Sequence, residues 1–190
     1  MTKEQAYNML RASYMTEVTY RRKNFNDDAE TKKNIMAVAK ILTDDNSKCG
    51  IMLCGLCGNG KTTMLRAFQN LLNFLISTGY VENNKGIAIE EAKHIVRISK
   101  DWDSFDKIRK EQMLGIEDMG EEPAEVLSYG NISSPLIDLL EYRYNNQLFT
   151  FITTNMPMTK IRDKYGLRIV DRLSEMLDLV VFENNSYRKI

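Results

Sequence analysis

The segment Gly55-Leu56-Cys57-Gly58-Asn59-Gly60-Lys61-Thr62 sets a lysine and a hydroxyl directly after a glycine-rich turn, and no other feature narrows the possible folds so far. It fits G-x-x-x-x-G-K-[ST] at every fixed position. The apolar run Ile51-Met52-Leu53-Cys54 precedes it, and Met64, Leu65, Phe68, Leu71, Leu72 and Leu75 follow at helical spacing. A strand, a tight loop and a helix in this order form a phosphate cradle. The glycines let backbone N–H groups turn inward around phosphate oxygens, and the helix start adds unpaired N–H groups and the positive end of its dipole. The expected ligand is ATP or ADP with Mg²⁺, bound by Gly55, Cys57, Gly58, Asn59, Gly60, Lys61, Thr62 and Thr63. Lys61 is expected on the β- and γ-phosphates and the Thr62 hydroxyl on Mg²⁺, with Thr63 supporting the first helical turn or a phosphate oxygen.

A second strand should supply acids near the metal. Met113-Leu114-Gly115-Ile116-Glu117-Asp118 is an apolar run ending in two carboxylates. The usual order puts Asp first, to hold the metal's water shell, and Glu second, to orient the attacking water. Here the first acid is Glu117, one methylene longer, which still suits an outer-sphere Mg²⁺ ligand because that ion keeps several waters. Asp118 is the shorter of the pair and is expected to activate water poorly. A third strand, Phe149-Thr150-Phe151-Ile152-Thr153-Thr154, ends on Asn155 at the edge where ligands bind in α/β sheets. Asn155 either positions water near the γ-phosphate or turns the chain before Met156-Pro157.

The remaining chain alternates helical and strand patterns, which predicts a parallel sheet with helices on both faces. Strand patterns fall at Gly86 to Ile89 and Leu179 to Phe182; helices are expected over Glu90 to Lys100, Pro135 to Asn145 and, as one or two, Met158 to Leu177. Two helices precede the loop, one with Tyr7, Leu10, Tyr14 and Val18 on a face and one with Ile35, Val38, Ala39 and Leu42. The organisation is a helical segment, residues 1–45, and a nucleotide-binding domain, residues 46–190. Twenty-six basic residues balance twenty-six acidic ones, so any contact with DNA must be local. No apolar stretch is long enough to span a membrane and the N-terminus lacks an export signal, so the cytoplasm is the expected compartment. Cys54-x-x-Cys57 is read as small residues at a tight turn, because it falls inside the phosphate loop and the two further ligands a structural zinc needs could come only from Cys49 and from His94, far along the chain. The Cys57 thiol is a possible site of oxidation.

The phrases CGLCGNGKTTML, LGIEDMGEEP, LEYRYNNQLFTFITTN, KYGLRIVDRLSEM and ENNSYR resemble the AAA+ helicase loaders and transposition helpers of the DnaC and IstB kind, over roughly residues 49 to 190. The resemblance implies a P-loop NTPase with a three-layer αβα sandwich, a five-stranded parallel sheet and N-terminal helices. Glu183 to Ile190 leave no room for the helical lid of most AAA+ proteins, so a lidless form is expected. It further implies ATP hydrolysis at a subunit interface through self-association, a replicative helicase or a transposase as partner, and contact with single-stranded DNA. Lys61, Glu117, Asp118, Asn155 and Arg172 would then be catalytic and Thr62 and Glu117 would hold the metal, with Asn155 as sensor 1. Arg172 would be the finger offered to a neighbouring subunit, Arg168 standing one turn earlier as its rival. Arg143 and Arg188 recur in the family phrases without a derivable role.

Lys93, Arg97 and Lys100 with Trp102 nearby could combine phosphate contact and base stacking, or form a solvated helix beside a core tryptophan. Arg21-Arg22-Lys23 is a second local basic cluster. The N-terminal helix either binds a partner or covers the adenine pocket. Besides loader and transposition helper, two other functions are open. A small-molecule kinase would need an arginine-rich lid that the chain lacks, and a nucleotide-gated binding module would hydrolyse ATP negligibly.

Overall fold

The apolar run ahead of the glycine loop becomes β1 (Gly50–Gly55), a strand of a five-stranded sheet in a computed structural model that describes residues 1–81, 85–128 and 131–187. With β2 (Ala88–Glu91), β3 (Met113–Met119), β6 (Phe149–Thr154) and β7 (Asp178–Phe182) it forms the order β2-β3-β6-β1-β7. All these neighbours pair in parallel, β1 meeting β6 from Gly50 opposite Thr150 to Cys54 opposite Thr154. A separate antiparallel hairpin, β4 (Val126–Ser128) and β5 (Asn131–Ser133), follows β3 and lacks the apolar alternation that would announce it.

Parallel sheets bury both faces, and the strand residues divide accordingly. Ile51, Leu53, Phe151, Val180 and Phe182 pack with α1 (Lys3–Tyr20), α2 (Ala29–Ile41) and α3 (Lys61–Ser77), through Leu10, Tyr14, Ile35, Val38, Met64, Leu65, Phe68 and Leu71. On the opposite face Met52, Cys54, Leu114, Ile116 and Ile152 meet α4 (Ala92–Ile98), α5 (Trp102–Arg109), α6 (Pro135–Asn145), α7 (Met158–Tyr165) and α8 (Leu167–Met176). Burying each large apolar side chain contributes roughly 1.5–3 kcal/mol, so the sandwich follows from the two-sided strands. The N-terminal helices carry their own start signals: Thr2 and Gln5 form a reciprocal capping box on α1, and the Asp28 side chain accepts from the Thr31 N–H on α2.

The structure moves one sequence boundary, adds a helix and decides between one helix and two after Met158. Glu90 and Glu91 belong to β2, so the following helix is the shorter α4. The α5 helix was not legible, since Phe105 is its one buried residue. Trp102 opens that helix at 58% exposure and is not a core residue. Between Met158 and Leu177 the chain forms two helices, broken at Gly166 with φ +83°. After β7 the described residues to Tyr187 form no further helix, and Arg188 lies outside the described residues.

Arg143 on α6 is fully buried and acts as a structural strut. Its guanidinium donates to Thr150 Oγ1 at 2.9 Å, Phe149 O at 2.6 Å, Glu111 O at 2.7 Å and Arg109 O at 3.1 Å. These bonds tie the end of α5 and the approach to β3 onto the start of β6. Burial pushes the guanidinium down to about 10, with the nearby Glu111 charge acting in the opposite direction. Replacing Arg143 by Met leaves those oxygens buried and unbonded, and should cost about 3 kcal/mol. The check is a lower urea midpoint at unchanged slope; a loss under about 1 kcal/mol would refute the strut.

Candidate functional site

At the carboxyl end of β1 the backbone turns through Gly55, Gly58 and Gly60 at φ +150°, +80° and +100°. A side chain at Gly55 would strike Phe182 O at 2.4 Å and Asn59 Nδ2 at 2.5 Å, so the approach to β7 needs glycine there. Gly60 is the N-cap of α3 and supplies no side-chain bond, which leaves the first-turn N–H groups uncapped by the chain's own side chains. Lys61 is 4% exposed. Its ammonium donates to Gly55 O at 2.8 Å, Leu56 O at 2.7 Å and Asn59 Oδ1 at 3.0 Å. Neutral oxygens hold an ammonium more weakly than phosphate oxygens do, so Lys61 is poised to exchange one set for the other. Thr62 and Thr63 are half-buried in the same turn.

Residues from both ends of the chain clasp this loop; sequence reasoning offered the N-terminal helix as one cover for the adenine pocket but foresaw none of the individual contacts. Asn59 Nδ2 donates to Phe182 O at 2.9 Å, Asn184 Nδ2 to Asn59 O at 3.0 Å, and Asn34 Nδ2 to Asn184 Oδ1 at 3.1 Å. The Tyr187 N–H donates to Gly58 O at 2.9 Å, while its hydroxyl lies 2.8 Å from Thr31 Oγ1 and 3.3 Å from Asp28 Oδ1. Tyr14 of α1 hydrogen-bonds Thr63, and its hydroxyl fills the space where a side chain at position 60 would stand. Burial raises the Tyr14 phenol well above its ordinary value. The phrase ENNSYR was the available signal for Asn184 and Tyr187; Tyr14 was hidden in an ordinary amphipathic pattern.

The acids, Asn155 and α3 meet at the adjoining ends of β3 and β6. Glu117 is 6% exposed; one carboxylate oxygen, Oε2, accepts from Arg66 Nη2 at 2.7 Å. The other, Oε1, is buried without a partner among the described residues. Such an orphaned oxygen needs a donor or a cation, so the site fits a hydrated metal ion held with Thr62, which lies one helical turn before Arg66 on α3. The register of β3 against β6 shifts between Ile116 and Met119, and Asp118 takes φ +53° in that irregularity while its N–H donates to Thr153 Oγ1 at 3.1 Å. Glu117 and Asp118 line a cleft of about 100 Å³ with Glu91, Lys93 and Glu121. Lys93, 2.9 Å from Glu121, holds that carboxyl below the ordinary range, and Asn155 acts on it in the same direction. Beneath the cleft, buried Glu122 accepts from the Gly120 N–H at 2.9 Å, from Lys164 at 3.0 Å and from the Tyr165 hydroxyl, which anchors the loop after β3 to α7.

The two finger candidates stand apart from this cluster, on α8 across the sheet from α3. Arg172 is ion-paired with Glu141, lies 5.2 Å from the Tyr144 ring centre and keeps 18% side-chain exposure. Arg168 is 3.3 Å from the same Glu141 and 72% exposed. Of the basic residues near α4, Lys93 is engaged by Glu121, Arg97 lines an opening with Arg66, His94 and Glu117, and Lys100 is exposed, as is Trp102. Arg109 lies 4.7 Å over the Trp102 ring and 4.4 Å over Tyr142.

The three cysteines form no disulfide; Cys57 is exposed and Cys54 is buried. Burial pushes the Cys54 thiol up to about 11, so it stays protonated and unreactive at neutral pH. Iodoacetamide should therefore modify Cys57 first and spare Cys54 until the medium approaches that value, as peptide mass spectrometry would show. Equal labelling at neutral pH would contradict the loop geometry.

No protein-family model matches this sequence. No curated protein matches it either. Solved structures do match in fold. A DnaC helicase loader aligns over 84% of this chain and 93% of its own, at 21% identity and a TM-score of 0.61. DnaI aligns over 85% and 88%, at 23% identity and a TM-score of 0.59. AMPPCP-bound DnaA from Aquifex aeolicus aligns over 85% of this chain and 49% of its own, at 17% identity and a TM-score of 0.57. The chain thus has the AAA+ P-loop fold of these replication proteins.

Proposed function

We propose that this chain binds ATP at Gly55 to Thr63 and hydrolyses it as a helicase-loading protein of the DnaC kind, working on single-stranded DNA. The observation that carries the reading is the glycine turn with Lys61 buried inside it, held by loop oxygens that phosphate oxygens can replace. Lys61 would then bind the β- and γ-phosphates, and the uncapped N–H groups of α3 would receive the remaining phosphate oxygens. Mg²⁺, when held by Thr62 and Glu117, supplies charge neutralisation across the phosphates. Asp118 would orient the attacking water and Asn155 would set its position beside the γ-phosphate.

In this reading residues 1–45 cover the base and ribose, because Tyr14 already stands over Gly60 and Thr63 and Tyr187 borders the same loop. Residues 46–190 form the ATPase domain proper. Self-association would bring an arginine of α8 to the neighbouring subunit's γ-phosphate. Arg172 is the first assignment, and the greater exposure of Arg168 makes it the rival. Arg97, Lys100 and the open face of Trp102 would meet single-stranded DNA by phosphate contact and stacking. A DnaA neighbour bound to AMPPCP and single-stranded DNA shares this fold at a TM-score of 0.56, which supports both ligands. Work on DNA without a membrane-crossing helix among the described residues suits the cytoplasm.

An IstB-like transposition helper would use the same site with a transposase as partner. A nucleotide-gated module with negligible hydrolysis is favoured by one observation, the left-handed backbone (φ +53°) at Asp118, the shorter acid on which orienting the water would fall.

ATP hydrolysis measured over a range of protein concentrations, with and without single-stranded DNA, tests the proposal. Turnover per molecule should rise with concentration and with DNA. Lys61→Ala should lower it about a hundredfold and loss of the true finger, Arg172→Ala or Arg168→Ala, about a thousandfold. Turnover unaffected by Lys61→Ala would overturn the ATPase reading.

A further inference from the structure

Glu117 and Arg66 form a pair that the reading of the first acid as a metal ligand does not explain. A glutamate at that position carries one more rotatable methylene than an aspartate, so its carboxylate has more ways to point away from Thr62. The cost of fixing it is side-chain entropy. The structure shows what fixes it. Arg66 follows Thr62 by one helical turn and shares its side of α3. Its Nη2 binds Glu117 Oε2 at 2.7 Å, and Oε1 is left buried and unpartnered among the described residues. Glu117 side-chain exposure is 8% and that of Arg66 34%, so the pair is shielded on the acid side and open to solvent at the guanidinium.

We propose that Arg66 is a positioning residue for the metal ligand Glu117: it engages one carboxylate oxygen and thereby presents the other toward Thr62, offsetting the freedom of the longer side chain. This rests on the ATP site proposed above. In this role the guanidinium acts through Glu117, its ion-pair partner, and not on the nucleotide itself. Partners of this outer kind orient a ligand and raise its effective affinity, and their loss typically weakens metal binding about 10–100-fold. The logic also specifies when Arg66 should not matter. An aspartate at position 117 falls short of Arg66 and has fewer rotamers to restrict, so the arginine has nothing to orient.

The experiment is a Mg²⁺ titration of fluorescent ATP-analogue binding, free of turnover, on wild type, Arg66→Met, Arg66→Lys, Glu117→Asp and the Arg66→Met/Glu117→Asp double variant. Thermal unfolding of each confirms the fold, and Met keeps the aliphatic packing of the arginine stem. Arg66→Met should raise the Mg²⁺ concentration at half-saturation about tenfold and leave metal-free nucleotide binding unchanged. Arg66→Lys should recover part of the loss. In the Glu117→Asp background Arg66→Met should be silent. An unchanged or lowered Mg²⁺ requirement in Arg66→Met would overturn the inference, the lowered value marking Arg66 as a competitor of the metal. An equal effect in both backgrounds would overturn it as well, since Arg66 would then act independently of the Glu117 side chain. Failure of the wild type to bind the analogue at all would sink the ATP reading itself, whereas wild-type binding indifferent to Arg66 sinks this inference alone.

Discussion

The reversal of direction between β1 and α3 governs the rest of the molecule. A parallel strand in the sheet must hand its chain to a helix within the few residues from Gly55 to Gly60, beside the neighbouring strand β7. Left-handed backbone at Gly58 and Gly60 makes the turn, and the close approach of Phe182 excludes any side chain at Gly55. The same geometry that solves the folding problem leaves N–H groups pointing outward and draws Lys61 inside. Binding capacity is therefore a by-product of a tight strand-to-helix connection with no cap of its own.

Such a loop needs support, because its glycines carry little packing and much conformational entropy. Support comes from both termini. Asn184 and Tyr187 bond to Asn59 and Gly58, and they are braced in turn by Asn34, Thr31 and Asp28 from α2. Tyr14 of α1 closes the remaining side. Two segments remote in sequence thus converge on the loop through polar contacts, those among Asn34, Asn59 and Asn184 being buried. Movement of α1 or α2 would be felt directly at the phosphate site.

Much of this was legible in advance, for physical reasons that differ by element. The loop reads from sequence because its chemistry requires glycine, lysine and threonine at fixed spacing. The strands read because two-sided burial demands continuous apolar runs, as at Ile51 to Cys54 and Phe149 to Ile152. The α5 helix did not read, since one buried residue, Phe105, generates no period. Trp102 was misplaced because size suggests burial, whereas Arg109 stacks over its ring and leaves it at the surface. Arg143 had no assignable role because three of its four partners are main-chain carbonyls, which any sequence offers and none advertises. The Arg66 and Glu117 pair was missed for a related reason: a single arginine on a helix carries no signal until its partner's position in space is known.

The central claim is that the β1–α3 turn and the end of β3 form one ATP site in which, on binding, Lys61 exchanges its partners and Glu117 gains one. The most direct measurement is a crystal structure with AMPPCP and Mg²⁺. The account predicts Lys61 Nζ withdrawn from Gly55 O and Leu56 O onto phosphate oxygens, with the Glu117 oxygen that now lacks a partner turned to the metal's water shell. Nucleotide bound elsewhere, or Lys61 still on its loop carbonyls beside an occupied cradle, would contradict it.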